Sequence, residues 1–421
     1  MEHLILVVAI AAALYMAWNI GANDVANAMG TSVGSGAVTL RQAVLIAAVF
    51  EFSGAFIFGS HVTETVRKGM LDPLAFTTAG PFGAHGPVIL ALGMTSALLA
   101  AAIWLQISTK LGLPVSTTHS IVGAVIGFGV LAVGIHGVRW GQITEIVASW
   151  FVSPLMGGVL AFGIFLGIRA LILRNPDPIT ATARLAPYLV MAVGTILALT
   201  FTQKVLHNLM HDPHPTFVAL FALAFGGAAA LVARALIKIP EAHAGADPYP
   251  YVERVFGGLQ IVTAAFVAFA HGANDVANAV GPLAAVVGIA KTGFTDVPNG
   301  VPLARWILAV GGVGIVIGLA MWGYKVIATV GRHITEITPS RGFSAEFATA
   351  CTVLLASRLG LPVSTTHILV GAVVGVGIAH GLGALNLRTI TRIAGSWIAT
   401  LPAAAAICAG TFVVLRALFV R

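Results

Sequence analysis

The stretch "GANDVANA" occupies residues 21–28, and the same eight letters return at 272–279. Each copy sets a glycine, two asparagines and an aspartate among apolar neighbours. Asn23 and Asn27 stand four residues apart and Asp24 and Asn27 three, so on a helix all three side chains share one face. An ionisable group at membrane depth costs roughly 2.5–3.5 kcal/mol and marks an ion or substrate path. Gly21 and Gly30 bracket the first copy and suggest local unwinding there.

The rest of the chain shows that membrane depth is the right frame. Hydrophobic residues make up 58% of the 421 and charged residues only 9%, with a mean hydropathy of +0.97. A soluble surface needs about 25% charge. Runs such as "LILVVAIAAALYMAW" (4–18), "PYLVMAVGTILAL" (187–199) and "TFVALFALAFGGAAALVARAL" (216–236) approach the ~20 residues that cross a bilayer. The expected fold is an all-α polytopic membrane protein, not a β-barrel, which would alternate in short segments. The 48 glycines fit close helix packing. Cys351 and Cys408 both lie in apolar runs and point to burial, not a disulfide. The start "MEHLILVVAI" has no basic n-region, so the first helix is expected to serve as its own membrane signal. The net charge of +7 reports topology and not nucleic-acid binding.

The chain repeats itself. "GANDVANAMG" at 21 matches "GANDVANAVG" at 272, an offset of 251 (272 − 21). "LGLPVSTTHSIVGAVIGFG" at 111 matches "LGLPVSTTHILVGAVVGVG" at 359, an offset of 248 (359 − 111). Weaker likeness joins "RQAVLIAAVF" from Arg41 to "RWILAVGGVG" from Arg305, and "HVTETVRK" from His61 to "KVIATVGR" from Lys325. The division read from this is a first transmembrane repeat at 1–140, linking helices and cytoplasmic loops at 141–251, a second repeat at 252–390, and a C-terminal helix at 391–421. Arg169, Arg174 and Arg184 flank one central loop, and Arg234, Lys238 and Arg254 flank the loop two helices later. The positive-inside tendency places both in the cytoplasm. The second unit then starts inside. The first starts with "MEH", which lacks Lys and Arg, and so starts outside. Two inverted-topology repeats with paired re-entrant helical hairpins are the expected architecture.

In "LGLPVSTTH", Pro114 interrupts the apolar run. Ser116, Thr117 and Thr118 then open a helix as good cap residues. Free N–H groups, a positive dipole end and three hydroxyls form an anion cradle without an arginine. The stretch at 361–367 builds a second cradle with Ser364, Thr365 and Thr366. Asp24 and Asp275 would repel an anion held at the same place. Sodium ions bridging carboxylate and Asn carbonyl remove that conflict, and so does a hydrogen bond from a protonated anion. The second solution favours phosphate over sulfate.

These paired motifs, with "RQAVLIAAVFEFSGA", resemble the inorganic phosphate transporter (PiT) family of cation-coupled carriers, over about 1–140 and 252–390. The resemblance implies a phosphate held between two re-entrant hairpins. It implies phosphate contacts at Asp24, Asn27, Ser116, Thr117 and Thr118, and at Asp275, Asn278, Ser364, Thr365 and Thr366. Sodium, the implied coupling ion, would be held by Asn23, Asp24, Asn274 and Asp275, with two membrane glutamates, Glu51 and Glu346, handling cations. Counting from the shared prolines, Glu346 pairs with Leu98, and counting from Arg41 and Arg305, Glu51 falls near Ile315, so the halves differ.

Sodium-coupled symport of inorganic phosphate across the cell (inner or plasma) membrane by alternating access is the leading reading. A proton-coupled phosphate or sulfate carrier and a passive anion channel stay open beside it. No phosphate-binding "GxxxxGK[ST]", "HExxH" or "GxSxG" stretch supports ATP-driven transport or an enzyme. The expected partners are inorganic phosphate, Na+ and the lipid bilayer, with no nucleic acid. The helices at 141–240 offer a face for a homodimer. His207, His211 and His214 suggest zinc only weakly. His119 and His367, after each Thr pair, would tune the anion site or cap carbonyls. His271 stands where Ile20 precedes the first motif.

Overall fold

The computed structural model describes residues 2–60, 62–63, 70–210, 214–240, 247–298, 303–327, 336–381 and 385–420, with backbone only for 201 and 203–210. The chain is built from α1 (Glu2–Gly34), α2 (Leu40–Phe58), α3 (Gly86–Lys110), α4 (Thr117–Val133), α5 (Trp140–Ile168), α6 (Pro178–Met210), α7 (Pro215–Leu236), α8 (Tyr249–Lys291), α9 (Arg305–Trp322), α10 (Pro339–Arg358), α11 (Thr365–His380) and α12 (Leu387–Phe419). Among the described residues, nine helical segments are long and apolar enough to cross a membrane. Among the described residues no strand forms, and Leu71 and Val138 make an isolated antiparallel bridge. A helix satisfies its own backbone, which is why it prevails where no water can. Cys351 and Cys408 are free thiols, the second buried.

The expected unwinding at "GANDVANA" does not occur. α1 and α8 run unbroken through both copies. The glycines serve close approach instead. A Cβ on Gly21 would collide with the Ile315 carbonyl of α9, and one on Gly272 with the Glu51 backbone of α2. A second pair repeats this pattern, Gly318 against the Trp18 carbonyl and Gly54 against that of Phe269. Trp18 and Phe269 are equivalent under the motif offset, so α1–α9 and α8–α2 are matching contacts. Glu51 and Ile315 take equivalent places, as counting from the sequence suggested.

Two further contacts match in the same way. α4 meets α12 at Gly123 against Leu401 and Gly127 against Ala405, while α11 meets α5 at Gly371 against Pro154 and Gly375 against Gly158. α1 and α8 pass each other in opposite directions. Asp24 lies beside His271 and Asp275, while Thr31 and Ser32, further along α1, meet Gln260 and Thr263, earlier in α8, around Glu346. α3 with α4, and α10 with α11, form two hairpins whose tips come together beside this crossing. α6 and α7 form an outlying pair. α7 buries the single stripe Val218, Ala222 and Gly226, where Gly226 admits the α6 backbone at Met191. Its other faces are apolar and exposed.

The glycine contacts yield a direct test. Gly272→Val would drive its side chain into a main-chain group that cannot swing aside, destabilising by about 1–3 kcal/mol. Gly141, which has open space around its Cβ position, is the control. Thermal melting in detergent should separate Gly272→Val from Gly141→Ala. Equal melting points would show that the close approach carries no weight.

Candidate functional site

The site begins at the hairpin tips. Gly112 and Gly360 take positive φ, 64° and 69°, and turn the chain. Ser116 then caps α4, its Oγ accepting from the His119 N–H at 3.1 Å. Ser364 caps α11 and accepts from the His367 N–H at 3.3 Å. Past each cap the tips clasp one another. The Thr118 hydroxyl donates to the Val363 carbonyl at 3.0 Å, and the Thr366 hydroxyl donates to the Val115 carbonyl at 3.3 Å. Sequence-equivalent atoms thus exchange two hydrogen bonds across the centre of the molecule.

Each "GANDVANA" helix grips its own hairpin through its first asparagine. Asn23 Nδ2 donates to Thr109 Oγ1 at 2.9 Å and to the Leu113 carbonyl at 3.1 Å. Asn274 Nδ2 donates to Ser357 Oγ at 3.0 Å and to the Leu361 carbonyl at 3.4 Å. The second asparagine reaches the opposite hairpin. Asn27 Nδ2 donates to Thr366 Oγ1 at 2.8 Å, and Asn278 Nδ2 donates to Thr118 Oγ1 at 3.2 Å and Thr117 Oγ1 at 3.3 Å.

Asp275 accepts from Thr365 at 2.7 Å, from Asn278 at 3.1 Å and from Thr118 at 3.3 Å. Asp24, Asp275 and His271 are close enough to hold a single cation among them. His271 Nε2 lies 3.1 Å from Asp275 and 3.7 Å from Asp24, and its Nδ1 lies 3.3 Å from Glu51. All four side chains are buried, and no lysine or arginine appears among the buried polar residues described. Both Asp24 oxygens, both Glu51 oxygens and the amide oxygens of Asn274 and Asn278 are buried without a hydrogen bond. Oxygen acceptors in that number, with one imidazole and no lysine or arginine beside them, suit hard cations. The N-terminal turns of α4 and α11 bring positive dipole ends and hydroxyls to the same place.

Glu346 lies apart from this cluster. Its carboxylate accepts from Thr31 at 2.6 Å, Ser32 at 2.6 Å, Thr263 at 2.7 Å and Gln260 at 3.0 Å. Thr31 follows Asp24 on α1 by seven residues, about 10 Å of helix rise. The two glutamates therefore occupy different places, Glu51 beside the central aspartates and Glu346 one step along the α1–α8 crossing. The equivalents of the Glu346 pocket in the other half are Leu98, Ala9, Ala12, Pro282 and Leu283, all apolar.

His271 is the central residue that motif reading left without a role. The available signal was the break in the repeat, an imidazole where the first copy has Ile20. His119 and His367 do not face the carboxylates. They stack on tryptophans, His119 on Trp150 at 3.7 Å and His367 on Trp397 at 3.6 Å between ring centroids, and meet edge to face at 4.3 Å. The two hairpins are also held unequally. The Val115 N–H donates to Asn23 Oδ1 at 3.3 Å, while the equivalent Asn274 Oδ1 has no partner. Trp150 Nε1 donates to the Pro362 carbonyl at 3.4 Å, while Trp397 Nε1 has no partner. His211 and the His207 side chain lie outside the described residues, and His214 caps α7 through the Thr216 N–H.

Removing one donor from Glu346 tests whether its shell is needed as a unit. Thr263→Val should destabilise by about 1–3 kcal/mol, the cost of stripping a hydrogen bond from a buried group. Thr263→Ser should retain most of the stability. Equal melting of both variants with the unaltered protein would contradict this.

Residues 20–408 match the phosphate transporter family. A Pyrococcus abyssi relative, named as a candidate phosphate permease, is 46% identical over 408 residues, 96% of each chain. The inorganic phosphate transporter 2-1, chloroplastic, of Arabidopsis thaliana is 44% identical over 93% of this chain and 69% of its own length. A solved structure titled "The sodium-dependent phosphate transporter" superposes with a TM-score of 0.90 at 43% identity, covering 99% of this chain and 100% of that one. With its apolar spans and buried polar centre, the chain is a multi-pass membrane protein that belongs to the phosphate transporter family.

Proposed function

We propose that this protein is a secondary active transporter that moves inorganic phosphate together with Na+ by alternating access between inverted halves. One observation carries the reading. The crossing of α1 and α8 buries Asp24, Asp275 and Glu51 with no lysine or arginine, directly beside the hydroxyl-lined N-termini of α4 and α11. An anion cannot enter such a centre alone, because like charges in a poorly screened interior repel strongly. Cations bound by the unpartnered Asp, Glu and Asn oxygens would remove that repulsion. Phosphate affinity then depends on the cation, which is the thermodynamic content of coupling.

In this reading phosphate contacts Asp24, Asn27, Thr117 and Thr118 in the first half and Asp275, Asn278, Thr365 and Thr366 in the second. Ser116 and Ser364 chiefly hold the first turns that present backbone N–H groups. Na+ takes oxygens from Asn23, Asp24, Asn274, Asp275 and Glu51, and Glu346 serves as a separate cation station. Phosphate oxygens would take over hydroxyl bonds that now join the tips to each other and to Asp275. The matched glycine contacts support repeat units that include α5 and α12, so that the repeats extend to about 168 and 419.

Alternating access draws support from the unequal tethers. The first hairpin is tied to Asn23 but not to Trp397. The second is tied to Trp150 and to the Nδ2 of Asn274, but not to the Asn274 Oδ1. Exchange of these settings between two related halves would convert one access state into the other. Both formed bonds are long, at the weak end of the range, and so suit exchange.

The deciding experiment is uptake of labelled phosphate into proteoliposomes under an inward Na+ gradient or an inward H+ gradient, with sulfate as competitor. Accumulation against the phosphate gradient driven by Na+ alone supports the proposal. Accumulation driven by H+ alone replaces the coupling ion, and equilibration without accumulation indicates a channel. Asp24→Asn and Asp275→Asn should each abolish uptake while the protein still inserts, and normal uptake in either would overturn the assigned roles. Trp150→Phe keeps an aromatic ring beside His119 but removes the indole N–H, and should shift the two-state equilibrium about fivefold. Alkylation of a cysteine placed at Pro362 would read that shift, and an unchanged rate would count against the exchange of tethers.

A further inference from the structure

Two grooves flank the C-terminal end of α7, far from the carboxylate centre in the fold. One, of about 1030 Å³, is lined by α6 residues including Arg184 and Tyr188 and by α7 residues including Leu231 and Arg234. The other, of about 630 Å³, runs between α7 and the start of α8 and is lined among others by Leu236, Lys238, Tyr251 and Arg254. Ile237 and Ile239 line both, so the grooves adjoin. Their walls are otherwise mostly alanine, valine, leucine and glycine. Arg184, Arg234, Lys238 and Arg254 are all exposed.

Among the described residues, no carboxylate lines either groove. The nearest acids along the described chain are engaged elsewhere. Glu253 accepts from the backbone and hydroxyl of Ser340, both at 2.8 Å, and Asp247 accepts from the Tyr249 N–H at 3.1 Å. Four cations thus sit at one end of two apolar channels on a face that the exposed side chains of α7 mark as lipid-facing. Loop charge places that end on the cytoplasmic side.

We propose that this paired groove is a binding site for an anionic phospholipid of the cytoplasmic leaflet. The phosphodiester and its anionic headgroup meet Arg184, Arg234, Lys238 and Arg254, and the two acyl chains lie on either side of α7. Basic pockets between membrane helices recognise anionic headgroups in this way, and the apolar walls give a lipid a hold that free phosphate lacks. A second copy of the chain fits the surface worse. A two-fold interface would face the same four cations against themselves.

The test is native mass spectrometry of the detergent-purified full chain, titrated with phosphatidylglycerol or with phosphatidylcholine of matched acyl chains. The expected result is preferential retention of phosphatidylglycerol. Arg234→Gln and Arg254→Gln should each weaken it about fivefold and the double variant about thirtyfold, from the contribution of one surface cation to anionic-lipid attraction. Arg174→Gln, which removes a cation on the same side but outside both grooves, should leave retention unchanged. Melting temperatures equal to that of the unaltered protein establish that the variants fold. Equal retention of both lipids would overturn the proposal, as would an equal loss in Arg174→Gln. Displacement of the lipid by excess inorganic phosphate would make this a free-anion site instead. A dimer lost on Arg234→Gln, without a lipid adduct, would assign the surface to a second copy.

Discussion

Asp24, Asp275 and Glu51 share a membrane interior with a single imidazole and, among the described residues, no buried lysine or arginine, and the rest of the architecture follows from what that requires. Charged or hydrogen-bonding groups held away from water need partners. Asp275 finds them in Thr365 and Asn278, while Asp24 and Glu51 accept no hydrogen bond and face His271. Such partners must be placed to within hydrogen-bonding distance. That demands helices packed backbone to backbone, which is the work of Gly21, Gly54, Gly272 and Gly318. The high glycine content and the polar centre are two sides of one constraint.

Near-symmetry makes the departures from symmetry informative. The Asn side chains and the Thr118 and Thr366 hydroxyls of the two halves make matching bonds, whereas Asp275 accepts hydrogen bonds and Asp24 accepts none. His271 with Glu51, and the Glu346 pocket, occur once each and stand opposite Ile20 with Ile315 and a set of apolar residues. A carrier with two identical halves would offer the same environment in each orientation. The added acids make the two sides of the centre different: Glu346 is surrounded by oxygen and amide groups, and the equivalent positions of the other half carry aliphatic carbon.

Much of this was legible in the letters. A doubled ten-residue motif and a doubled nineteen-residue motif need no structure to be noticed, and Pro114 followed by Ser and Thr announces a helix start that the fold bears out at Thr117. The hydrophobic runs gave the spans, because length and composition alone decide whether a helix can live in lipid. One reading failed for a physical reason. Gly21 suggested unwinding because glycine permits both an irregular backbone and a close helix contact, and only the neighbouring helix reveals which is used. Glu51 and Glu346 were already unmatched by counting along the repeats, and α2 and α10 carry them to different places.

The sequence by itself determined the helical membrane class, the duplication, the polar motifs and the positions where hairpin helices begin, since each rests on local composition, periodicity or capping. Tertiary structure alone decided which residues meet. It set His271 among three carboxylates drawn from α1, α2 and α8, gave Glu346 four donors from α1 and α8, and tied Thr118 to Val363 across the two halves. Those contacts join residues far apart in the chain, and their existence depends on how closely the glycines let the helices approach, a quantity that no single stretch of sequence encodes.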